Sequence, residues 1–418
     1  MRATKDSGFE WIGDIPCYWK IDKLKYHLRR NEPRNPGDAV VLSLYREFGV
    51  IPKNSRDDNH NVTSEDTSKY KYVRPGDFVI NKMKAWQGSV AVSEYEGIVS
   101  PAYFVYEFTD DTIFKRYFHY LLRNCYKDEF MRLSGGIRVG QWDLPADALE
   151  NTSILIPPMD EQCRIADFLD TKCAEIDALT ADIQTQIDTL EQYKRSVITE
   201  TVTKGLNPNA EMKDSGIQWI GMMPSHWDCI RGKYILRYMQ KPVREDDGVI
   251  TCFRDGEVTL RSNRREDGFT MSDKEIGYQG IDVGDLVVHG MDGFAGSIGI
   301  SDSRGKASPV LNVLDTDQCK RYIMYYLRSM AYSDVFLALA TGIRVRSCDL
   351  RWNKLAELSY PVPPLDEQNA IVEHIDSALS KADAVIADKK AQIATLDEYK
   401  KSLIFEYVTG KKEVPCND

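Results

Sequence analysis

The sequence predicts a mixed α/β (α+β) protein: two globular domains joined by two long helices that form an antiparallel coiled coil, with an internal pseudo-twofold duplication. Three observations predict it. The stretch KDSGFEWIGDIPCYW at 5–19 returns as KDSGIQWIGMMPSHW at 213–227, with nine of the fifteen positions identical at an offset of 208. Short apolar or aromatic runs, broken by Gly, Pro, Asn and Asp, fill 20–157 and 228–362, which is the pattern of strands and turns. After Pro157-Pro158 and again after Pro363-Pro364 the punctuation stops and a helical periodicity takes over, as expected where proline precedes a helix.

The elements follow in two rounds. The first domain is expected over 1–157, its helix over 158–210, the second domain over 211–362 and the second helix over 363–418. Runs such as YVRPGDFVI, YFVYEF and GDLVVHG read as strands, with helix at 112–133 and 318–340. The copies stay in step at Gly76-Asp77 with Gly284-Asp285, at Met83 with Met291, and at Ser100-Pro101 with Ser308-Pro309. Two residues then drop out, and at an offset of 206 GGIRVGQWDL (135–144) matches TGIRVRSCDL (341–350), IPPMDEQ (156–162) matches VPPLDEQ (362–368), and IDTLEQYKRSVI (187–198) matches IATLDEYKKSLI (393–404). Trp11, Trp19, Trp219 and Trp227 are expected to anchor the start of each copy in a core.

Each long helix opens with carboxylates in its first turn, Asp160-Glu161 and Asp366-Glu367, where the helix dipole favours negative charge. Leu169, Ile176, Ile183, Leu190 and Val197 recur every seven residues, with Ile165, Leu179, Ile187 and Tyr193 in the intermediate turns. The second helix carries Ile371, Ile375, Leu379, Val385, Ile386, Ile393, Leu396, Tyr399 and Leu403, with Lys389 where Ile183 sits. About forty residues make a rod of about 60 Å, and a single apolar stripe needs a partner. The expected partner is the other helix, running antiparallel; the alternative is that each helix folds back on its own domain. The Asn207-Pro208-Asn209 turn is expected to end the first helix, just after Gly205.

With 42% apolar and 28% charged residues in 418 and a mean hydropathy of −0.42, the chain has the composition of an ordered globular protein. Nine cysteines form no C-x-x-C pair, the first residues contain no apolar run of signal-peptide length, and no stretch approaches a membrane span, so a cytoplasmic protein with reduced thiols and no membrane is expected. A net charge of −10 speaks at first against nucleic acid. By segment, however, the net charge is 0 over 1–157, −5 over 158–210, −1 over 211–362 and −4 over 363–418. The excess acid lies on the helices, leaving a basic face possible on each neutral domain. Clusters at Lys20, Lys23, Lys25, Arg29, Arg30 and Arg34, and at Arg254, Arg261, Arg264 and Arg265, are candidates for such a face or for a solvated one.

Signatures of catalysis are missing. There is no phosphate-binding G-x-x-x-x-G-K-[ST] loop, no H-E-x-x-H, no Cys/His cluster at zinc spacing and no G-x-S-x-G elbow, and the six histidines are scattered. No catalytic or metal-binding residue is assigned.

The order DSG-x-x-WIG-x-x-P-x-x-W, G-I-R-V with a downstream Asp-Leu, P-P-[ML]-D-E-Q opening a long helix, and Tyr-Lys-Arg/Lys-Ser, all of it twice, resembles the specificity subunit of type I restriction-modification systems. The resemblance implies a non-catalytic DNA reader in which each globular part is a target recognition domain for one half of a split sequence in double-stranded DNA. The two helices would form the spacer between the halves. It further implies docking of two methyltransferase subunits, bringing S-adenosylmethionine and adenine methylation, and of two motor-nuclease subunits, bringing ATP and Mg; no cofactor is expected in this chain. A specificity subunit of a methylation-only system and a tandem protein-binding coiled-coil scaffold stay open as alternatives.

Within that resemblance the G-I-R-V loops are candidates for DNA contact. Gly135-Gly136 and Gly342 permit close backbone approach, and Arg138, Arg344 and Arg346 offer guanidinium forks for phosphate or guanine. A motif shared by both copies suits phosphate positioning better than base reading; the alternative is pairing with Asp143 and Asp349 to hold a turn. Base reading is expected where the copies diverge: Lys82, Lys84 and Trp86 against Gly290, Asp292 and Phe294, and 45–70 against 253–278. Arg46, Lys53, Arg56, Arg254, Arg261 and Arg264 are the further candidates there, with ordinary exposed loop residues as the alternative for each.

Overall fold

The computed structural model describes residues 2–37, 39–46, 48–56, 63–64, 66–136, 142–264, 276–339 and 350–415. The chain folds as two compact units, Met1–Ile183 with Ala391–Asp418, and Gln184–Lys390. The division falls within the long helices, so each unit holds one half of each.

The first unit runs β1 (Thr4–Asp6), β2 (Asp14–Pro16), β3 (Lys20–Lys23), β4 (Leu28–Arg30), β5 (Leu42–Tyr45), β6 (Gly49–Pro52), β7 (Lys71–Val73), β8 (Phe78–Asn81), β9 (Val90–Val92), β10 (Gly97–Val99), β11 (Tyr103–Phe108), α1 (Lys115–Cys125), α2 (Lys127–Leu133), α3 (Ala146–Glu150), β12 (Ser153–Ile156) and the start of α4 (Met159–Lys204). Its centre is an antiparallel sheet in the order β4-β11-β8-β9, with Phe104 opposite Ile80 and Val105 opposite Val79. Successive strand residues point to opposite faces. Phe78, Ile80 and Tyr106 therefore meet Phe118, Leu121 and Leu122 of α1 and Phe130 of α2, whereas Val79 and Val105 meet Leu42, Leu44 and Val50 of the β5–β6 hairpin. Both faces are covered, which is why FVI reads as a continuous apolar run.

The second unit repeats the plan with β13 (Met212–Asp214), β14 (Met222–Pro224), β15 (Asp228–Arg231), α5 (Gly232–Ile235), β16 (Leu236–Met239), β17 (Ile250–Cys252), β18 (Val258–Leu260), β19 (Gln279–Ile281), β20 (Leu286–His289), β21 (Ile298–Ile300), β22 (Gly305–Ala307), β23 (Leu311–Thr316), α6 (Lys320–Tyr332), α7 (Val335–Ala338), α8 (Trp352–Glu357), β24 (Ser359–Val362) and α9 (Leu365–Val408), the last shared with the first unit. Its sheet order, β16-β23-β20-β21, is that of the first unit. Trp19 and Trp227 are 1% and 0% exposed, each inside its unit's main core, with Trp11 and Trp219 packed against it.

Each unit contains a pair of helical segments. In the first, Phe168 packs on Tyr407 with ring centroids 4.5 Å apart, and Lys400 Nζ donates to Asp177 Oδ1 at 2.6 Å. In the second, Lys194 Nζ donates to Asp383 Oδ1 at 2.6 Å and Lys389 Nζ to Gln186. Facing residue numbers rise on one segment as they fall on the other, so both pairs are antiparallel. Leu169, Ile176, Ile183 and Ile386 are buried, as is Leu403, and Leu190, Val197, Leu379, Ile393 and Leu396 are half-buried.

The companion row is the expected one at Ile165 and Ile187, both buried, and differs elsewhere. Leu179, Tyr193, Val385 and Tyr399 stand 45–55% exposed. The row that faces inward is Cys173, Thr180, Ile187, Lys194 and Thr201, four residues after each heptad leucine or isoleucine rather than three, so the apolar side chains at the three-residue step point off the seam.

The duplicated D-E-Q motif is a joint between domain and helix. Gln162 Oε1 accepts from the Phe114 backbone N at 2.8 Å, and its Nε2 donates to the carbonyls of Thr112 and Pro157, both at 2.9 Å. Gln368 repeats this with Cys319 N (2.9 Å), Pro363 O (2.9 Å) and Gln318 Oε1 (2.7 Å). Glu161 accepts from Trp19 Nε1 at 3.0 Å and from Arg2 at 2.9 Å; Glu367 instead pairs with His226 at 2.8 Å. Each long helix ends at a glycine with positive φ, Gly205 (+72°) and Gly410 (+73°). Gly410 lies against Pro16 and Trp19, and Gly205 against Pro224 and Trp227. No described helix is long and apolar enough to cross a membrane.

Candidate nucleic-acid interface

The divergent loops sit on a scaffold that the two units share. Helices α1 and α6 carry the same pattern, R-Y-x-x-Y-x-L-R, at 116–123 and 321–328. The first arginine and second tyrosine grip one carboxylate of the long helix: Arg116 and Tyr120 hold Asp170, and Arg321 and Tyr325 hold Asp376, at 2.6 Å for both of the latter. Burial, with the Asp376 carboxylate adding to it, pushes the Tyr325 phenol up to about 12, so it stays a donor. The first tyrosine reaches the end of the other long helix, Tyr117 to Val408 O at 2.9 Å and Tyr322 to Val202 O at 3.0 Å. The last arginine holds a hairpin tip. Arg123 donates to the Arg46 carbonyl beyond β5, and Arg328 donates to the Asp255 carbonyl between β17 and β18 at 2.8 Å. None of these residues was singled out from sequence, although the repeated pattern, at an offset of 205, is visible there.

Above the bracket stand the hairpin and the β8–β9 loop or its counterpart. The hairpins do not diverge in their cations as expected: Arg46 matches Arg254, Lys53 matches Arg261 and Arg56 matches Arg264, whereas Lys82 and Lys84 of the loop give way to Gly290 and Asp292. In the first unit the hairpin tip presents exposed Arg46, and Arg56 lies over the Phe48 ring at 4.3 Å. Lys53 donates to Thr63 Oγ1. In the β8–β9 loop, Lys82 pairs with Asp143 at 2.7 Å, Lys84 is exposed, and the Trp86 ring lies 5.5 Å from that of Trp142. The loop is tied to the arm that opens at Gly135: Gly135 and Asp143 exchange backbone hydrogen bonds, and Leu144 N donates to Lys82 O at 3.0 Å. Asp143 thus pairs with Lys82. Arg138 lies outside the described residues, as do Arg265, Arg344, Arg346 and Asp349.

In the second unit, Arg254 at the hairpin tip reaches Asp292 in the β20–β21 loop at 3.1 Å, joining the two divergent segments. Arg264 pairs with Asp255 at 2.5 Å and lies over the Phe253 ring at 4.3 Å, and Arg261 Nε sits 3.4 Å from Thr251 Oγ1. Leu350 N donates to Gly290 O at 2.8 Å, the counterpart of the Leu144–Lys82 tie. In the basic cluster near the first strands, Arg29 pairs with Glu107, Arg30 with Glu32, and Lys25 with Asn151. Among the described residues no group of three or more His, Cys, Asp or Glu is arranged to hold a metal ion.

The chain has relatives among known proteins. Residues 28–189 match the family model described as type I restriction modification DNA specificity domain. The chain is 24% identical over 99% of both lengths to the protein described as the type I restriction enzyme MjaX specificity subunit of Methanocaldococcus jannaschii, and 23% identical to that organism's MjaVIII specificity subunit over 99% of this chain and 98% of the relative. In fold it is similar to a chain of a type I R-M system solved for its complex assembly and conformational transition (TM-score 0.68, 14% identity, 95% of this chain and 99% of that one). It is also similar to the HsdS subunit from Thermoanaerobacter tengcongensis (TM-score 0.50, 15% identity, 97% and 100%). The resemblance carried by the duplicated motifs is borne out: the chain is a relative of the DNA specificity subunits of type I restriction-modification systems, with the family's specificity domain at residues 28–189.

Proposed function

We propose that this chain is the non-catalytic DNA-reading subunit of a type I restriction-modification complex, each unit's globular part recognising one half of a split sequence in double-stranded DNA. The observation that carries the reading is the contrast within each unit. The bracket of Arg116, Tyr117, Tyr120 and Arg123 recurs as Arg321, Tyr322, Tyr325 and Arg328 and the hairpin keeps its cations, whereas the β8–β9 loop changes them in β20–β21, Lys82 to Gly290 and Lys84 to Asp292, with Trp86 to Phe294. One scaffold carrying two different surfaces suits two different half-sites.

Base reading would fall to the β8–β9 and β20–β21 loops, where Lys84 stands against Asp292, and phosphate positioning to the G-I-R-V arms and to Arg46 and Arg254, which hold the same place in the two hairpins. The helices α4 and α9 would pair antiparallel along their length and set the gap between half-sites. Methyltransferase subunits, two in number, would dock on the apolar side chains that α4 and α9 turn outward, and two motor-nuclease subunits would join them. In the second unit Tyr193 and Val385 line a groove of about 350 Å³ with His374, Ala378 and Lys381, and Leu179 and Tyr399 are their exposed counterparts in the first. S-adenosylmethionine, ATP and Mg would belong to those subunits.

The test is competition binding of the chain with its methyltransferase partner to duplex DNA. A split sequence should outcompete random duplex by at least about a thousandfold, with affinity falling steeply as salt rises. Equal affinity for all duplexes would leave a protein-binding scaffold as the reading.

A further inference from the structure

The β8–β9 and β20–β21 loops have drifted apart, NKMKAWQGS (81–89) against HGMDGFAGS (289–297), and keep three of nine residues. The fold accounts for two of them. Gly88 and Gly296 take φ of +82° and +96°, where side chains are strained, and Ser89 and Ser297 are 2% and 1% exposed. The third, Met83 and Met291, is 42% and 51% exposed, so burial does not explain its retention.

Both methionines are nevertheless held in place. Met83 N donates to Asn81 Oδ1 at 3.1 Å and Met291 N to His289 Nδ1 at 3.2 Å. The residue before each is tied by its carbonyl to the Gly135 arm or its counterpart, through Leu144 and Leu350. The two copies thus reach one geometry with different side chains, and each presents a thioether to solvent from a fixed loop.

Resting on the DNA-reading function above, we propose that Met83 and Met291 are a matched pair of apolar wedges that insert at a base step beside each half-site. An apolar insertion is indifferent to base identity, which fits a residue kept in two domains that read different sequences. The flanks argue for DNA over a protein partner. A surface meeting two copies of one protein should keep its neighbours, as the Leu179/Val385 and Tyr193/Tyr399 positions do, whereas here Lys82 becomes Gly290, Lys84 becomes Asp292 and Trp86 becomes Phe294.

The experiment uses the full chain with its methyltransferase partner and a duplex carrying the methylated sequence mapped in the source genome, with a fluorescent adenine analogue beside one half-site at a time. Wild-type protein should raise the fluorescence at both half-sites, as unstacking does. Met83→Ala should abolish the rise at one half-site only and Met291→Ala at the other, each with about tenfold weaker binding and no change in the preferred sequence. Met83→Leu and Met291→Leu should retain both signals. Wild-type binding with alanine variants that unstack and bind equally well overturns this inference alone, as does loss of the methyltransferase partner in place of loss of DNA. If the wild-type complex prefers no split sequence, the DNA reading itself falls, and this inference with it.

Discussion

Gln368 is completely buried where the second domain meets its long helix. Its Oε1 accepts from Cys319 N, while its Nε2 donates to Pro363 O and Gln318 Oε1 at 2.9 and 2.7 Å. Gln368→Glu keeps the shape and the acceptor but replaces the NH2 donor with an oxygen that faces two acceptor oxygens. The new carboxyl can donate to one of them only while protonated, so its folded pKa rises. The unfolded chain ionises normally near 4.3, and each pH unit above that favours it by 1.36 kcal/mol. The variant should therefore lose about 4 kcal/mol at pH 7 but only about 1 kcal/mol at pH 5, plus about 1 kcal/mol at either pH for the bond not replaced. Urea unfolding of wild type and variant at the two pH values, followed by circular dichroism, measures the difference. A penalty that is the same at both, or below about 1 kcal/mol at pH 7, would refute the assignment of Gln368 as a buried donor.

Three further outcomes follow from the same geometry. Gly410→Ala places a Cβ 2.5 Å from Pro16 Cδ at a φ of +73° and should cost about 2–4 kcal/mol, whereas Gly216→Ala, at +70° with open space around it, should cost only about 1; chemical denaturation separates them. Replacing Leu179 and Tyr399, or Tyr193 and Val385, by serine should leave the melting temperature within a few degrees of wild type but reduce co-purification with the methyltransferase partner at least tenfold, since these side chains are exposed. Hydrogen bonds from Lys241 and Arg304 hold the Asp282 carboxyl down to about 2. The stability it contributes is complete above the ordinary value near 3.8 and is lost as pH falls from about 4 toward 2; thermal unfolding of wild type should fall more steeply than that of Asp282→Asn across that window.

Repetition makes much of the fold readable from the sequence. The duplicated motifs mark the two domains, the proline pairs mark the helix starts, and Trp19 and Trp227 read correctly as core anchors. What they do to one another was not readable. Gln162 and Gln368 are polar residues in a helix start, and their importance lies in carbonyls and amides up to fifty residues away. The helix seam was half legible: the heptad row of Leu169, Ile176 and Ile183 is buried, but the facing row is filled by Cys173, Thr180, Lys194 and Thr201. Short or amphipathic side chains of this kind pass unnoticed in a search for apolar residues, which selected Leu179 and Tyr193 in their place. At the candidate interface, divergence between copies locates the β8–β9 and β20–β21 loops, and the repeated pattern of α1 and α6 is visible in sequence, but the backbone carbonyls that Arg123 and Arg328 reach at the hairpin tips are not. Asp143 pairs with Lys82, just after the end of β8 and sixty-one residues away in sequence, a contact that residue spacing does not suggest.

The central claim, that two recognition domains read a split target across a helical spacer, is tested most directly by mapping methylated adenines in cells that express the methyltransferase partner. The map is made with the wild-type chain and with a variant carrying one extra heptad after Ile183 and another after Lys390. Seven residues add about 10 Å, or about three base pairs. The wild type should give one split sequence and the variant the same two half-sites with the gap widened by about three base pairs. A continuous sequence, an unchanged gap or altered half-sites would contradict the claim.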